Sequence, residues 1–301
     1  MSTQSPIYIG NSLSERLILV TRRYAAHIIV LAIVLMWSTP TVGLFITSLR
    51  PSSDIATSGW WTILNDLDSL TLDNYALVLN SGDAVATPIN LTQNFVNSVL
   101  ITVPGVILPV LIGALAAYGF AWLQFPFRKW LYLGVVALLV VPLQVTWVPV
   151  LSLYNQTGLA NSYPGIWLAH TGYGLAFATF LLYNFVVDLP VELIESAKID
   201  GATEFGVFFR IILPLTMPAI ASLSVFQFVW VWNNLMNALL YLPDVDKAPL
   251  PVALRSLIGE YGSAWHILSA SAFVMMALPM MVFFAFQKYF VQGVTAGAVK
   301  G

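Results

Sequence analysis

Long apolar stretches without a charged residue alternate along this chain with short polar segments. A helix crosses a hydrocarbon core about 30 Å thick with about 20 apolar residues. Five charge-free stretches reach that length: residues 24–49, 84–127, 130–187, 211–243 and 261–287. The second opens with a polar run and holds one span from about residue 95 to 122, whereas a turn-rich segment at 154–165 divides the third into two spans. The pattern therefore predicts six transmembrane helices in an all-α, polytopic membrane protein.

The composition excludes several classes of protein. Of the 301 residues, 58% are hydrophobic and only 9% are charged, whereas a soluble domain has about 25% charged residues. A soluble enzyme, a fibrous repeat and a disordered tail are therefore excluded. The formal net charge of −2 gives no basic footprint for nucleic acid, and the absence of cysteine excludes disulfides and thiolate metal sites.

The basic residues predict the orientation of the six spans, because cytoplasmic loops are enriched in lysine and arginine. With both termini inside, nine basic residues lie in cytoplasmic segments and three lie outside. The predicted organisation is a cytoplasmic segment 1–23, a first span 24–49, an extracytoplasmic loop 50–93, a core of five further spans 94–291 and a cytoplasmic tail 292–301. The first span is too long for a cleaved signal sequence, so we expect it to be retained.

The extracytoplasmic loop 50–93 combines aromatic and acidic residues. It holds Trp60, Trp61 and several aspartates, with a short amphipathic helix expected at 72–79. Two interpretations remain open. The loop is either a solvated cap whose tryptophans lie at the level of the lipid headgroups, or a surface that docks a partner.

Charge is dense between two spans only in the inside loop 188–218, which carries seven charged residues within 23 positions. Asp188 followed by Pro190 is typical of a helix start, and Gly201 suits the left-handed residue that ends a helix. Thr203 can cap a second short helix that carries Phe205, Phe208, Phe209 and Ile212. The loop therefore predicts a helix, a glycine turn and a second helix across the cytoplasmic face.

The string that begins Glu195-Ser196-Ala197 and continues through Asp200-Gly201-Ala202 to Leu213-Pro214 resembles the EAA loop of bacterial ABC importer permeases. Three further segments resemble the carbohydrate, maltose-type permeases: Gln144-Val145-Thr146, Trp232-Asn233-Asn234 and the tail 289–301. The resemblance implies a type I importer permease fold in a bacterial or archaeal plasma membrane. It also implies that the loop forms a coupling helix for an ATPase subunit. The coupling residues would be Glu195, Ser196, Ala197, Asp200, Gly201, Ala202, Phe205, Leu213 and Pro214.

Catalytic motifs are missing from the sequence. No phosphate-binding Gly-x4-Gly-Lys-[Ser/Thr] string is present, so ATP and its magnesium would bind on separate ATPase subunits. His27, His170 and His266 are too scattered to form a metal site. We therefore expect a subunit that is not an enzyme and that carries no cofactor and no metal.

The polar side chains within the spans are uncharged, which argues against a proton pump that uses intramembrane carboxylates. Amides in hydrocarbon need a hydrogen-bonding partner, so they should face another helix or a wet path. Such amides and aromatic rings suit a neutral, polyhydroxylated ligand, although bonding between helices explains each position equally well. The candidate pathway residues are Gln144, Tyr173, Gln227, Trp230, Asn233, Asn234 and Asn237.

The favoured function is one permease subunit of an ABC importer for a sugar, with an oligosaccharide or glucoside as substrate. The implied partners are a homologous permease subunit, two ATPase subunits and an extracytoplasmic binding protein. An ion-coupled secondary transporter of a neutral solute is the alternative, but it needs repeats and broken helices that the sequence does not show clearly. A structural scaffold would leave the amides and the EAA-like loop unexplained. The sequence identifies neither the sugar nor whether this subunit contacts it.

Overall fold

The computed structural model describes residues 13–65, 67–79, 90–260 and 264–298, and every regular element in this part of the chain is helical. The start of the predicted N-terminal segment, part of the 50–93 loop and the last three residues lie outside the described residues. Within these residues, four helices are long and apolar enough to cross a membrane. They are α1 (Leu13–Ser48), α4 (Leu91–Trp122), α7 (Tyr163–Val186) and α14 (Trp265–Ala298).

Shorter helices complete the described chain. Between α1 and α4 lie α2 (Ser52–Thr57), two 3-10 turns (Trp60–Asn65 and Leu67–Ser69) and α3 (Asp73–Leu79). Between α4 and α7 lie α5 (Arg128–Ala137) and α6 (Trp147–Thr157), and α8 (Val191–Ile199), α9 (Glu204–Val207) and α10 (Leu213–Leu215) follow α7. The remaining helices are α11 (Met217–Trp232), α12 (Leu235–Tyr241) and α13 (Leu250–Glu260).

The predicted third span is broken rather than continuous. Its two halves, Arg128–Val140 and Leu143–Thr157, meet at 99°. Pro142 causes the break, because it has no N–H for the helix and Val141 before it is extended. Pro149 lies in the first turn of α6, where a proline costs no helix hydrogen bond.

A second bent pair joins Glu204–Leu215 to α11 at 75°, and Thr216 lies at the bend. If each bent pair counts as one span, the described residues hold six candidate spans, which agrees with the predicted number. Pro142 lies at the first bend, and Pro218 lies in the first turn of α11, directly after the second.

Helices α4, α7 and α11 form the centre of the bundle, and small residues allow their close approach. A methyl group on Gly113 of α4 would lie 2.6 Å from the Cβ atom of Ala178 on α7. The core between them also includes residues from the segment after α7. This core comprises Val110, Ala114, Ala117, Tyr118, Ala178, Leu182, Val186, Ile194, Val207, Phe208, Ile212, Ala219 and Leu223.

Candidate functional site: the Gly201 hairpin and the central cavity

Residues 191–215, here called the Gly201 hairpin, fold as α8, a glycine turn and a second helical segment. Gly201 has φ +81°, so the predicted left-handed turn is present. The Thr203 hydroxyl accepts a hydrogen bond from the Gly206 N–H at 3.2 Å and caps α9, as its position predicts. The second segment passes through a π-helical turn at Phe208–Ile212 before α10.

Asp188 is not the N-cap residue of α8, which corrects the expectation from the sequence. Pro190 occupies the N-cap position with φ −59° and ψ 129°, and α8 begins at Val191. Within α8, Ile194 is buried whereas Val191 is exposed.

An ion pair closes the hairpin across its turn. The Lys198 Nζ atom lies 2.7 Å from Glu204 Oε1, and the Tyr118 hydroxyl of α4 donates to Glu204 Oε2 at 2.5 Å. The hydrogen bonds from Lys198 and Tyr118 lower the pKa of Glu204 below its ordinary value. The carboxylate therefore joins both arms of the hairpin to a helix of the central bundle.

The two faces of the hairpin differ in burial. Ile194, Val207 and Phe208 are at most 3% exposed and belong to the core shared with α4, α7 and α11. On the opposite side, Ile199 is 86% and Phe205 is 70% exposed. Among the predicted coupling residues, Ala197 and Leu213 are half-buried. The exposed ones are Glu195, Ser196, Asp200, Gly201, Ala202, Phe205 and Pro214.

A cavity of about 740 Å³ lies between α4, the broken third span, α7 and α11. Most of its walls are apolar, and none of the described residues that line it is Asp, Glu, Lys or Arg. Its hydrogen-bonding groups come from Thr146, Tyr154, Tyr173, Thr179, Gln227 and Trp230. This volume falls in the range of about 300–1,000 Å³ that is usual for small-ligand sites.

Hydrogen bonds fix several polar side chains of the cavity. The buried Gln227 donates to the Gly105 carbonyl at 3.3 Å, and the missing side chain of Gly174 leaves room for its amide. The Tyr173 hydroxyl lies 2.7 Å from that of Tyr241 and accepts a bond from Thr146. These groups are pre-positioned by protein contacts rather than free to rotate.

The structure brings only some of the predicted pathway residues to the cavity. Tyr173, Gln227 and Trp230 line it, whereas Gln144 is exposed and is not part of the lining. Asn233 and Asn234 lie at the break that follows α11 rather than within the span.

The three asparagines near that break have local surroundings of their own. The exposed Asn233 donates to the Val229 carbonyl of its own helix at 2.8 Å, and Asn234 caps α12 by accepting from the Asn237 N–H. Asn237 itself is buried. The side chains of Asn233 and Asn234 therefore bond at the helix break, and none of the three asparagines lines the 740 Å³ cavity.

Three polar residues of the cavity, Thr146, Tyr154 and Thr179, are not among the predicted pathway residues. Tyr154 was assigned to a loop, although Trp147, Val150 and Tyr154 follow the spacing of one helix face, and this spacing was the available signal. Nothing in the sequence distinguishes Thr179 from a threonine that bonds within its own helix.

Buried amides of α4 hold the segment between α12 and α13. Asn94 donates to the Ala248 carbonyl at 2.7 Å, and Asn97 donates to the Asp246 carbonyl at 2.8 Å. The Tyr163 hydroxyl donates in turn to Asn97 Oδ1 at 2.9 Å. This network fixes the end of the bundle that lies opposite the Gly201 hairpin.

A bundle of apolar helices with broken spans and a charge-free cavity is the architecture of a membrane permease. One solved structure supports this fold: a bacterial ABC transporter involved in the import of the acidic polysaccharide alginate. Its chain shares 20% identity at a TM-score of 0.74, over 95% of this chain and all of that chain. The likeness confirms the predicted fold class.

Residues 109–296 match the family described as the binding-protein-dependent transport system inner membrane component. The osmoprotective compounds uptake permease protein GgtD of Synechocystis is 48% identical over 91% of each chain. The alpha-glucoside transport system permease protein AglG of Rhizobium meliloti is 37% identical over 92% of this chain and 97% of that protein. This chain belongs to that family of ABC importer permeases, which confirms the resemblance seen in the sequence.

Proposed function

We propose that this chain is one of two homologous permease subunits of an ATP-driven importer for a small neutral sugar or glucoside. The Gly201 hairpin would dock on an ATPase subunit, and the cavity would form part of the translocation path. An extracytoplasmic binding protein would deliver the substrate. This arrangement places both termini and the hairpin in the cytoplasm of a bacterial or archaeal cell.

The observation that carries the coupling role is the two-sided burial of the hairpin. Its inner face belongs to the core of α4, α7 and α11, and its outer face presents Ile199 and Phe205 to solvent. Large exposed apolar side chains on a rigid element favour docking of a protein partner. Because the hairpin and the helices share one core, a force on the outer face would move the bundle as a unit.

The substrate class follows from the cavity. Its lining supplies hydroxyl, amide and indole groups without a charged side chain among the described residues. An anionic or cationic ligand would lose its hydration there without a counter-charge, whereas a neutral sugar would exchange water for these hydrogen bonds. The relatives that are named for osmoprotective compounds and alpha-glucosides are consistent with this class.

One observation favours the alternative of ion-coupled transport: the structure contains broken helices. The described breaks, however, carry no acidic residue: one lies at Val141 and Pro142, and the other lies at Thr216. Coupling ions at the midplane need oxygen ligands, and carboxylates are the usual source of a counter-charge. Family membership and these uncharged breaks both favour ATP-driven import.

Reconstitution tests the proposal. The permease pair, its ATPase subunits and the binding protein are placed in proteoliposomes, and uptake of a neutral α-linked disaccharide is compared with that of a uronic acid disaccharide of the same size. We expect uptake of the neutral sugar that requires ATP and the binding protein. Uptake driven by an ion gradient without ATPase subunits, or preference for the acidic sugar, would contradict the proposal.

A further inference from the structure

An apolar stripe follows α1 in the segment that we call the α1 cap (residues 50–79). Trp61, Leu64, Leu67 and Leu70 occur at three-residue intervals, and they are 63%, 81%, 63% and 41% exposed, respectively. Trp61 and Leu64 lie in one 3-10 turn, in which residues three apart lie above one another, and Leu67 lies in the next 3-10 turn. A soluble surface rarely exposes so many large apolar side chains in one row.

The depth of this segment along α1 can be derived from Trp60. A Cβ atom on Gly43 would lie 2.7 Å from the Trp60 Nε1 atom, so the indole packs against α1 where Gly43 leaves space. The apolar part of α1, Tyr24–Ser48, has 25 residues and is about 38 Å long at 1.5 Å per residue. It exceeds a hydrocarbon core of about 30 Å, so about 4 Å project at each end of a centred helix.

Gly43 lies five residues before the end of α1, which corresponds to about 7.5 Å along the axis. Trp60 therefore packs about 4 Å below the surface of the hydrocarbon core. Trp61 is its neighbour, with the two rings 6.0 Å apart in an edge-to-face arrangement. Both rings therefore lie close to the membrane–water interface, where tryptophan is enriched at the level of the headgroups.

Polar contacts hold the α1 cap at this depth. Arg50 is 3% exposed and donates to the Ser58 hydroxyl at 2.5 Å and to the Asp54 carbonyl at 3.2 Å. Asn74 donates to the Ser48 and Arg50 carbonyls, each at 2.9 Å. The cap is therefore fixed to the last turn of α1, and its stripe cannot move far without breaking buried hydrogen bonds.

We propose that the stripe of Trp61, Leu64, Leu67 and Leu70 inserts into the boundary between headgroups and acyl chains of the adjacent leaflet. It thereby anchors the α1 cap and sets the depth of α1. The stripe lies beside α1, where only 6% of the most apolar 18-residue window is buried within the chain. The two surfaces together form a lipid-facing area that extends from the core to the interface.

The insertion is apolar rather than electrostatic. In the described part of the cap, Asp68 and Asp73 are exposed, while the basic residue Arg50 is buried. Attraction to anionic headgroups needs exposed lysine or arginine. We therefore expect binding that depends neither on anionic lipid nor on ionic strength. This expectation does not depend on the substrate or on the ATPase subunits.

The absence of cysteine from the sequence permits a direct measurement of depth. Leu64→Cys and Leu67→Cys carry a spin label. Thr57→Cys, at an exposed position on α2, is the control. Each variant is purified with its associated subunits and placed in nanodiscs of zwitterionic phosphatidylcholine. Collision rates are then measured with oxygen, which concentrates in lipid, and with a water-soluble nickel chelate.

At Leu64 and Leu67 we expect oxygen collisions to exceed nickel collisions several-fold, and we expect the reverse at Thr57. The difference should be unchanged by 20% anionic lipid, roughly the range of natural membranes, or by a tenfold rise in salt. Frequent nickel collisions at Leu64 and Leu67 would show a solvated loop. Low collision rates with both reagents on an immobilised label would show a protein partner on the stripe. Either result would overturn the proposal.

Discussion

At the residue scale, local rules located the turn of the hairpin but not the contacts that hold it. Gly201 and Thr203 were predicted because a left-handed residue and a helix cap depend on neighbours within four positions. Tyr118 is 86 residues from Glu204 in sequence, and no local pattern connects them. The predicted N-cap position at Asp188 was two residues early, because Pro190 is the extended residue that precedes α8.

Removing the Tyr118 hydroxyl tests the contact between the hairpin and α4. A hydrogen bond to a charged group contributes about 1.5–3 kcal/mol, and the half-exposed carboxylate reduces this to about 1 kcal/mol. For Tyr118→Phe we expect about fivefold faster hydrogen exchange in the backbone of residues 203–208. Tyr183→Phe, which leaves the hairpin contacts in place, is the control. Equal exchange in both variants would show that this bond does not hold the hairpin.

The same carboxylate predicts a pH dependence. The pKa of Glu204 is lowered from 4.5 in the folded protein, first by Lys198 and then by Tyr118. Its contribution is therefore fully present above the unfolded pKa and is lost as the pH falls through the lower folded pKa. Hydrogen exchange at residues 203–208, corrected for its intrinsic rate, should be constant from pH 8 to pH 6. A loss of protection within that window that is absent from Glu204→Gln would show that Glu204 titrates there and would contradict this assignment.

At the scale of elements, the periodicity found the long helices but not their breaks. The run 130–187 is apolar throughout, and the proline at 142 was not recognised as the break in the third span. The change of direction depends on packing against α7 as well as on Pro142. Asn233 and Asn234 looked like residues within a span because no charge marks the end of α11.

Two isoleucines of α8 form a matched pair for testing the faces of the hairpin. Ile194 is 3% exposed and Ile199 is 86% exposed. Ile194→Ala should destabilise the isolated permease by about 2–4 kcal/mol. Ile199→Ala should change stability by less than about 0.5 kcal/mol and should reduce copurifying ATPase several-fold. Thermal unfolding and the ratio of ATPase to permease are measured on one preparation. If Ile199→Ala lost stability and Ile194→Ala lost ATPase instead, the assignment of the docking face would be wrong.

At the scale of the whole molecule, six spans and their partition into loops were predictable because charge and apolar length report directly on the bilayer. The cavity was not predictable in detail. Its polar groups come from α6, α7 and α11, and the approach of these helices depends on small residues such as Gly113 and Gly174. Tyr173, Gln227 and Trp230 were predicted because they are polar or aromatic residues within apolar spans. Tyr154 could be placed at the cavity only once the position of α6 was known.

The cavity account predicts different effects for two amides. Gln227 lines the cavity, whereas Asn233 bonds to its own helix outside it. Gln227→Leu should raise the KM for uptake or change the preference among neutral sugars, because a buried hydrogen-bonding group is lost. Asn233→Leu should leave the KM within about twofold, as expected for an exposed side chain. The KM for uptake is measured for both variants in proteoliposomes. A larger change in Asn233→Leu than in Gln227→Leu would show that the translocation path does not run through this cavity.

Orientation belongs to the same scale. Thr57→Cys in the α1 cap should react with an impermeant thiol reagent in intact cells, whereas Ala202→Cys in the hairpin should react only after permeabilisation. Both positions are exposed within the chain, so the difference would report the side of the membrane. Labelling of Ala202→Cys from outside would reverse the predicted topology.

The central claim is that the Gly201 hairpin transmits ATPase motion to the bundle, and Gly201→Asp tests it against a matched control. Gly201 and Gly158 both have positive φ, +81° and +72°, and both have open space around the Cβ position. Each substitution therefore adds about the same backbone strain, about 1 kcal/mol, and the same charge. Only Gly201→Asp places that charge on the proposed docking face.

The deciding measurement is sugar uptake per ATP hydrolysed by the reconstituted importer, made for both variants beside the wild type. We predict that Gly158→Asp retains the wild-type ratio. Gly201→Asp should lose most of its uptake, through loss of bound ATPase or hydrolysis without transport, while its permease remains inserted in the membrane. A wild-type ratio in Gly201→Asp, with a full complement of bound ATPase, would contradict the account.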